Sequence, residues 1–227
     1  MLDPNAALDR LDHAIARAKA LGADAADGVY FGDMSSSVHV RLGALEDIGR
    51  SEAEEIGIRV FIGHQSANVS SSDLSAAALA AAAERAVAMA REAPEDRYAG
   101  LAPAERLTKG PWAALDIDDG ADIAVEALRA RALAAEDAAR AVEGVSNSQG
   151  ASASTGRAVY ALATSHGFAG AYSGSSYGVS ASIIAGTGDT MQRDYAYHSA
   201  RHDADLEAPE AVGRLAGERA VSRLSSA

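Results

Sequence analysis

EIGIRVFIG, residues 55–63, decides the fold class. Ile56, Ile58, Val60 and Ile62 recur at every second position, the period of a strand with one buried face. Upstream, SVHVRL (37–42) alternates Val38, Val40 and Leu42 against His39 and Arg41. Gly43 marks a turn after it, followed by a short strand around Leu45 to Ile48. Together these segments read as an antiparallel meander with one buried side. Arg59 interrupts the run on the face opposite Ile58 and Val60, so it either faces solvent or is aimed at a partner or ligand.

Helices flank the meander. In DPNAALDRLDHAIARAKALG, Asp3 is a good N-cap, Pro4 suits a first turn, and Gly22 suits a C-terminal stop. Leu8, Leu11, Ile15 and Ala18 form one apolar stripe. A second helix begins near Ser72 or Asp73, buries Leu79, Ala83, Ala86, Val87 and Ala90, and ends at Pro94. Residues 94–120 hold Pro94, Pro103, Pro111 and Trp112 and read as a linker. An alanine-rich helix follows over 121–142, then strands at 145–154, 157–165, 168–173 and 176–186, and a closing helix over 209–224. GFAGAYSGSSYG (167–178) fits neither GxGxxG nor a P-loop and reads as strands of little side-chain bulk with a flexible connection. The predicted class is α+β: antiparallel sheets packed with helices, with a helix-then-strand-meander order in both halves. The predicted division is an N-terminal α+β domain (1–93), a linker (94–120) and a second α+β region (121–227).

Composition narrows the function. Of 227 residues, 48% are hydrophobic, enough for a sizeable core, and only 5% are aromatic. Small side chains therefore fill much of the interior and allow close packing. Thirty-two acidic residues against 20 basic ones give a net charge of −12, which disfavours direct contact with nucleic acid or an anionic membrane. The absence of cysteine excludes disulfides and thiolate chemistry within the chain. The start, MLDPNAALDR, lacks the features of a secretory signal, so a cytoplasmic location is expected.

Three constellations invite a catalytic reading. In MQRDYAYHSARH (191–202), His198 and His202 stand four apart, the spacing of a helical metal pair. No glutamate follows His198, Arg201 would stand beside the ion, and DYAYH has the pattern of extended chain. Tyr195 and Tyr197 are expected on one face of that segment and Asp194 and His198 on the other, with the segment leading out of the sheet. Ser165 and His166 are strand neighbours, pointing to opposite faces, and there is no G-x-S-x-G elbow. The acidic run LDIDDGAD (115–122) lacks an EF-hand's spacing and suits an acidic lead-in to a helix N-terminus. The residues alone show no catalytic or metal centre.

RLGALEDIGRSEAEEIGIRVFIGHQSANVSSSDLS (41–75), SHGFAGAYSGSSYGVSASIIA (165–185), MQRDYAYHSARH and DLEAPEAVGRLAGERAVSRL (205–224) together resemble the TldD/PmbA family, historically labelled modulator of DNA gyrase. MQRDY resembles the PmbA branch, also called TldE. The resemblance implies a TldD–TldE zinc metalloprotease cleaving unstructured peptides, in maturation of a microcin-type peptide and degradation of a small antitoxin. Family members are about twice as long, which implies an N-terminal portion here, with the C-terminal domain beyond it. The family's zinc motif, HExxxH, belongs to that C-terminal part of TldD, so no catalytic or metal residue carries over and no cofactor is expected in this chain. The expected role is a non-catalytic subunit that shapes a peptide chamber and pairs with a TldD-like subunit or a second copy. Arg59, Arg193 and Tyr195 are expected to face the peptide or partner, and a peptide strand is expected to add to an exposed sheet edge. The alternatives are an active zinc metallopeptidase with its metal site in the C-terminal half, and a stand-alone binding or scaffolding module.

Overall fold

The computed structural model describes residues 1–110 and 113–226, without the side chains of 225 and 226. Pro111 and Trp112 of the predicted linker lie outside the described residues. Four helices, α1 (Pro4–Ala20), α2 (Ala76–Glu92), α3 (Val125–Arg140) and α4 (Pro209–Ser222), accompany six strands. The strands are β1 (Ala25–Arg41), β2 (Ala44–Ile62), β3 (Gln65–Ser71), β4 (Val145–Thr164), β5 (Ala169–Ala185) and β6 (Gln192–Ala200). They form one sheet in the order β3-β2-β1-β4-β5-β6, with β2–β3 and β5–β6 antiparallel. The α+β class holds, and each half of the chain runs helix, three strands, helix.

Several boundaries differ from the sequence reading. The two strands expected within 45–63 are one continuous β2, and β1 starts twelve residues before Ser37, at Ala25. Gly28 and Gly32 disguise that start, since glycine more often ends a strand than fills one. At Gly28 the missing side chain makes room for a helix: a Cβ there would meet Leu11 Cδ2 at 3.0 Å. The four strands expected over 145–186 are two, β4 and β5, and Gly156 lies within β4, where a Cβ would crowd Ser176 Oγ at 3.1 Å. α2 starts at Ala76 because Ser75 caps it, its Oγ accepting from Ala78 N–H, while Asp73 turns back to accept from Ser75 N–H. α3 starts four residues later than expected because the preceding segment is engaged in other contacts, described below.

The chain divides into two compact units, each assembled from separated segments. Unit 1 comprises Met1–Asp33, Glu52–Leu115 and Ala158–Ser173. Its core packs α1 and α2 on the inward residues of β1, β2 and β4, with Leu11, Ile56, Ile58, Val60 and Tyr30 almost fully buried. Ile62 is only half-buried at the edge of this core, and Phe61, on the opposite face with Arg59, is also buried. α1 ends as the sequence predicts: Gly22 takes φ +99°, and the amides of Gly22 and Ala23 bond back to Lys19 and Ala18 carbonyls.

Unit 2 comprises Met34–Ser51, Asp116–Arg157 and Gly174–Ala227. Val38, Val40, Leu128, Val179, Ile183 and Val212 anchor its core, filled out by alanines of α3, α4 and the strands. α3 and α4 approach closely: a Cβ added to Gly213 would collide with the carbonyl of Ala135, and one added to Gly217 would lie 2.8 Å from the Ala139 oxygen. β1 and β2 are joined by a two-residue turn, Leu42–Gly43, both at positive φ (53° and 78°), the turn whose twist suits a hairpin. Glu136, fully buried on α3, accepts hydrogen bonds from both turn amides and from Ser148 Oγ.

Candidate functional site

In unit 1 the alternation of β2 turns Arg59 away from the helices, onto the face shared by Asp27 of β1. The two side chains form a paired contact, Nε to Oδ1 at 3.1 Å and Nη2 to Oδ2 at 2.5 Å. The guanidinium carbon also lies 5.1 Å from the Phe61 ring centroid. The hydrogen bond to Asp27, against partial burial, raises the Arg59 pKa above its usual value. Arg59 is thus neither free in solvent nor unattached: it forms one wall of a cleft of about 300 Å³.

The other walls come from the segment after α2 and from the β4–β5 turn. Arg106, Thr108, Thr164 and His166 supply polar groups, and Leu101, Leu107, Leu162 and Phe168 supply apolar ones. Among the described residues, the Arg106 guanidinium and the His166 ring meet no hydrogen-bonding or ion-pair partner. On the same face of unit 1, Phe31, Tyr160 and Tyr172 form a ladder, with ring centroids 5.0 and 5.1 Å apart in successive pairs. Each ring remains 37–46% exposed. Neither the ladder nor Arg106 was legible beforehand, because the strand carrying Phe31 and the continuity of β4 were not.

Arg193 and Tyr195 lie on β6, in unit 2. MQRDYAYHSARH does not lead out of the sheet; residues 192–200 are its edge strand, paired with β5 from Tyr177↔Ala200 to Ala185↔Gln192. The face assignment holds, with Tyr195 and Tyr197 exposed and stacked 6.3 Å apart and Ala196 buried on the opposite side. Arg193 Nη1 donates to Gln149 Oε1 at 3.3 Å. At Tyr195 the edge is closed: its N–H donates to Asp194 Oδ1 at 2.8 Å, and its carbonyl accepts from Arg219 Nη1 at 3.2 Å. Arg223 in turn holds Asp194, and together with the Tyr195 amide it keeps that carboxyl below the usual range. The Gly/Ser-rich strand is β5, flanked on both sides by β4 and β6, so it offers no free edge.

The two histidines do not make a metal pair. His198 Nδ1 accepts from Glu207 N–H at 3.1 Å, whereas His202 Nε2 lies 2.9 Å from the Asp116 carbonyl. Each ring is committed to a different segment, and no group of three or more His, Asp or Glu side chains among the described residues is placed to hold an ion.

The acidic run has a mechanical use instead. Asp118 receives Arg157 through Nε and Nη2 at 2.9 and 2.8 Å. Asp119 accepts from the Tyr177 hydroxyl, the Asp203 amide and the Ala121 amide. Burial opposes the charge of Asp119, yet the Tyr177 hydroxyl and the two amides hold its carboxyl well below the usual range. Burial and the Asp119 contact push Tyr177 up to about 12. Segment 116–121 thus fastens onto β5 and the loop after β6.

A family model described as the PmbA/TldA metallopeptidase domain 1 matches residues 35–90, and one described as the PmbA/TldA metallopeptidase central domain matches 118–224. The chain belongs to the PmbA/TldD family. It is an N-terminal portion of the PmbA/TldE type. The metalloprotease PmbA homolog of Haemophilus influenzae is 36% identical over 190 residues, covering 83% of this chain and 42% of that protein. The metalloprotease PmbA of Escherichia coli is 31% identical over 220 residues, covering 95% and 48%. This PmbA-type chain therefore spans less than half the length of these curated relatives. A crystal structure of a protein described as a modulator of DNA gyrase, from Bacteroides thetaiotaomicron, superposes with TM-score 0.84 at 21% identity, covering 93% of this chain and 48% of that one. TldE from Thermococcus kodakarensis gives 0.80 at 15% identity, covering 95% and 47%. At these identities the likeness is one of fold.

Proposed function

We infer that this chain is the N-terminal, non-catalytic portion of a cytoplasmic TldE-type subunit in a TldD–TldE peptide-cleaving metalloprotease. It shapes the peptide chamber and the interface with a TldD-like subunit, and the zinc belongs to that partner. Arg59, Arg193 and Tyr195 face the peptide or the partner. The reading is carried by one observation: both PmbA/TldA domain models match in chain order, at 31–36% identity to proteins named PmbA. The acidic net charge of −12 supports a peptide rather than DNA as the partner, whatever the gyrase label of the structural neighbours.

The test is to express the full-length protein with and without a TldD-type subunit from the same genome. Affinity capture should recover the pair, and zinc-dependent cleavage of an unstructured peptide should require both. Cleavage by the full-length protein alone would sink the non-catalytic assignment. A second reading has its own support, since the relatives are named metalloproteases: the full protein is then a metallopeptidase in its own right. An HExxxH motif in the coding sequence downstream of Ala227 would favour that reading.

A further inference from the structure

The cleft at Arg59 is lined by both charged and apolar side chains. Arg106 and His166 line it, both without partners among the described residues, together with an Arg59 already neutralised by Asp27. Asp27 and Arg59 cancel, so Arg106 leaves the cleft net positive even with His166 neutral. This is a local inversion in a chain of net charge −12. Leu101, Leu107 and Phe168 give the same cleft an apolar lining. Guanidinium and imidazole N–H groups next to an apolar recess are complementary to one common chemical unit, a carboxylate on the same carbon as an apolar side chain.

We propose that this cleft binds the free C-terminal carboxylate of a peptide, with Arg106 and His166 donating to the carboxylate and the leucine-lined recess taking an apolar last side chain. Arg59 is the positioning residue: fixed by Asp27 and Phe61, it sets the cleft wall without spending its charge on the ligand. The inference rests on the peptide-handling role above and adds which part of the peptide is held. An end-anchored peptide is held in one direction, so this cleft distinguishes a chain terminus from an internal segment.

The experiment is fluorescence anisotropy on this 227-residue chain. The probe is an N-terminally labelled, unstructured hexapeptide ending in leucine, made once as the free acid and once as the C-terminal amide. The free acid should bind about tenfold more tightly than the amide, the size of one charge-assisted contact. Arg106→Gln and His166→Gln, both at exposed positions, should each reduce that preference to about threefold or less. Replacing the terminal leucine by glycine should weaken the acid by about tenfold through lost apolar burial. Equal binding of acid and amide overturns the carboxylate site but leaves the peptide-handling role standing. A preference that survives both substitutions places the carboxylate elsewhere and overturns the assignment to this cleft. Absence of binding by either peptide at about 1 mM also overturns the site, whereas the subunit role is decided separately by capture of the TldD-type partner.

Discussion

Glu136 and Gly43 are 93 residues apart in sequence, yet the carboxylate of one accepts the amide of the other at 2.8 Å. The same carboxylate takes the Leu42 amide and the Ser148 hydroxyl. A buried acid thus holds the tip of the β1–β2 hairpin against α3. Glu136→Ala leaves two amides and a hydroxyl without their acceptor and should cost about 3 kcal/mol, read from denaturant midpoints. Glu136→Gln should fall between, because its amide nitrogen must face one of the same donors. Burial opposes the charge, but Ser148 and the turn amides hold the folded-state pKa below the ordinary 4.5. A depressed pKa contributes stability that is complete above 4.5 and is lost as pH falls through the folded value. Wild type should therefore lose stability below pH 4.5 more steeply than Glu136→Gln.

Leu42 itself is out of place. It adopts φ 53° with its side chain half-exposed, a conformation that an L-residue with a bulky side chain disfavours. Asparagine accepts this position in a two-residue hairpin turn. Leu42→Asn should raise stability by about 0.5–1 kcal/mol, measured by thermal or denaturant unfolding. A loss of stability would show that the Leu42 side chain has a role beyond the turn.

Tyr177 is buried and donates to Asp119, and Tyr30 is buried and donates to Glu54. Burial, then these carboxylate contacts, push both phenols up to about 12. Tyr30 and Tyr177 should ionise late in an ultraviolet titration, and Tyr177→Phe should remove one late step. For a raised pKa the stability is present below the ordinary value of 10 and lost as pH rises through about 12, so unfolding should accompany those late ionisations. Tyr177→Phe should itself cost about 1.5–3 kcal/mol, the range for a hydrogen bond to a charged group.

The sequence exposed some of this directly. The inward positions Ile56, Ile58 and Val60, the Asp3 cap and the Gly22 stop follow from periodicity and capping chemistry, which are local. The exposed pair Tyr195 and Tyr197 followed from alternation alone. What stayed hidden was set by partners distant in the chain. Gly28 looks like a break until Leu11 is seen above it, and Asp119 looks like a solvated charge until Tyr177 and Asp203 are placed beside it. Asp27 became part of the candidate cleft only because β1 begins at Ala25.

The crossing of α3 and α4 tolerates no bulk. Gly213→Ala places a methyl group inside the Ala135 carbonyl, so the helices must separate. It should destabilise by about 2–4 kcal/mol although alanine is the better helix former. A stability within about 0.5 kcal/mol of wild type would mean the helices move apart freely.

At β6, Asp194 and Arg219 occupy the outward amide and carbonyl of Tyr195, which would otherwise present an edge beside two exposed aromatic rings. The double substitution Asp194→Ala, Arg219→Ala should free both groups and promote strand-to-strand association between copies. Light scattering coupled to size exclusion should show concentration-dependent growth of the variant and none of wild type.

Unit 1 takes residues 158–173 from the far side of the chain, and unit 2 takes 34–51 from the near side. Each unit thus holds a hairpin segment on loan from the other's stretch of gene. A stop codon or protease cut between residues 93 and 121 yields two fragments, each missing strand segments from the unit it otherwise contains. Fragment complementation, in which both pieces regain structure only when mixed, is the behaviour such an interleaved chain dictates.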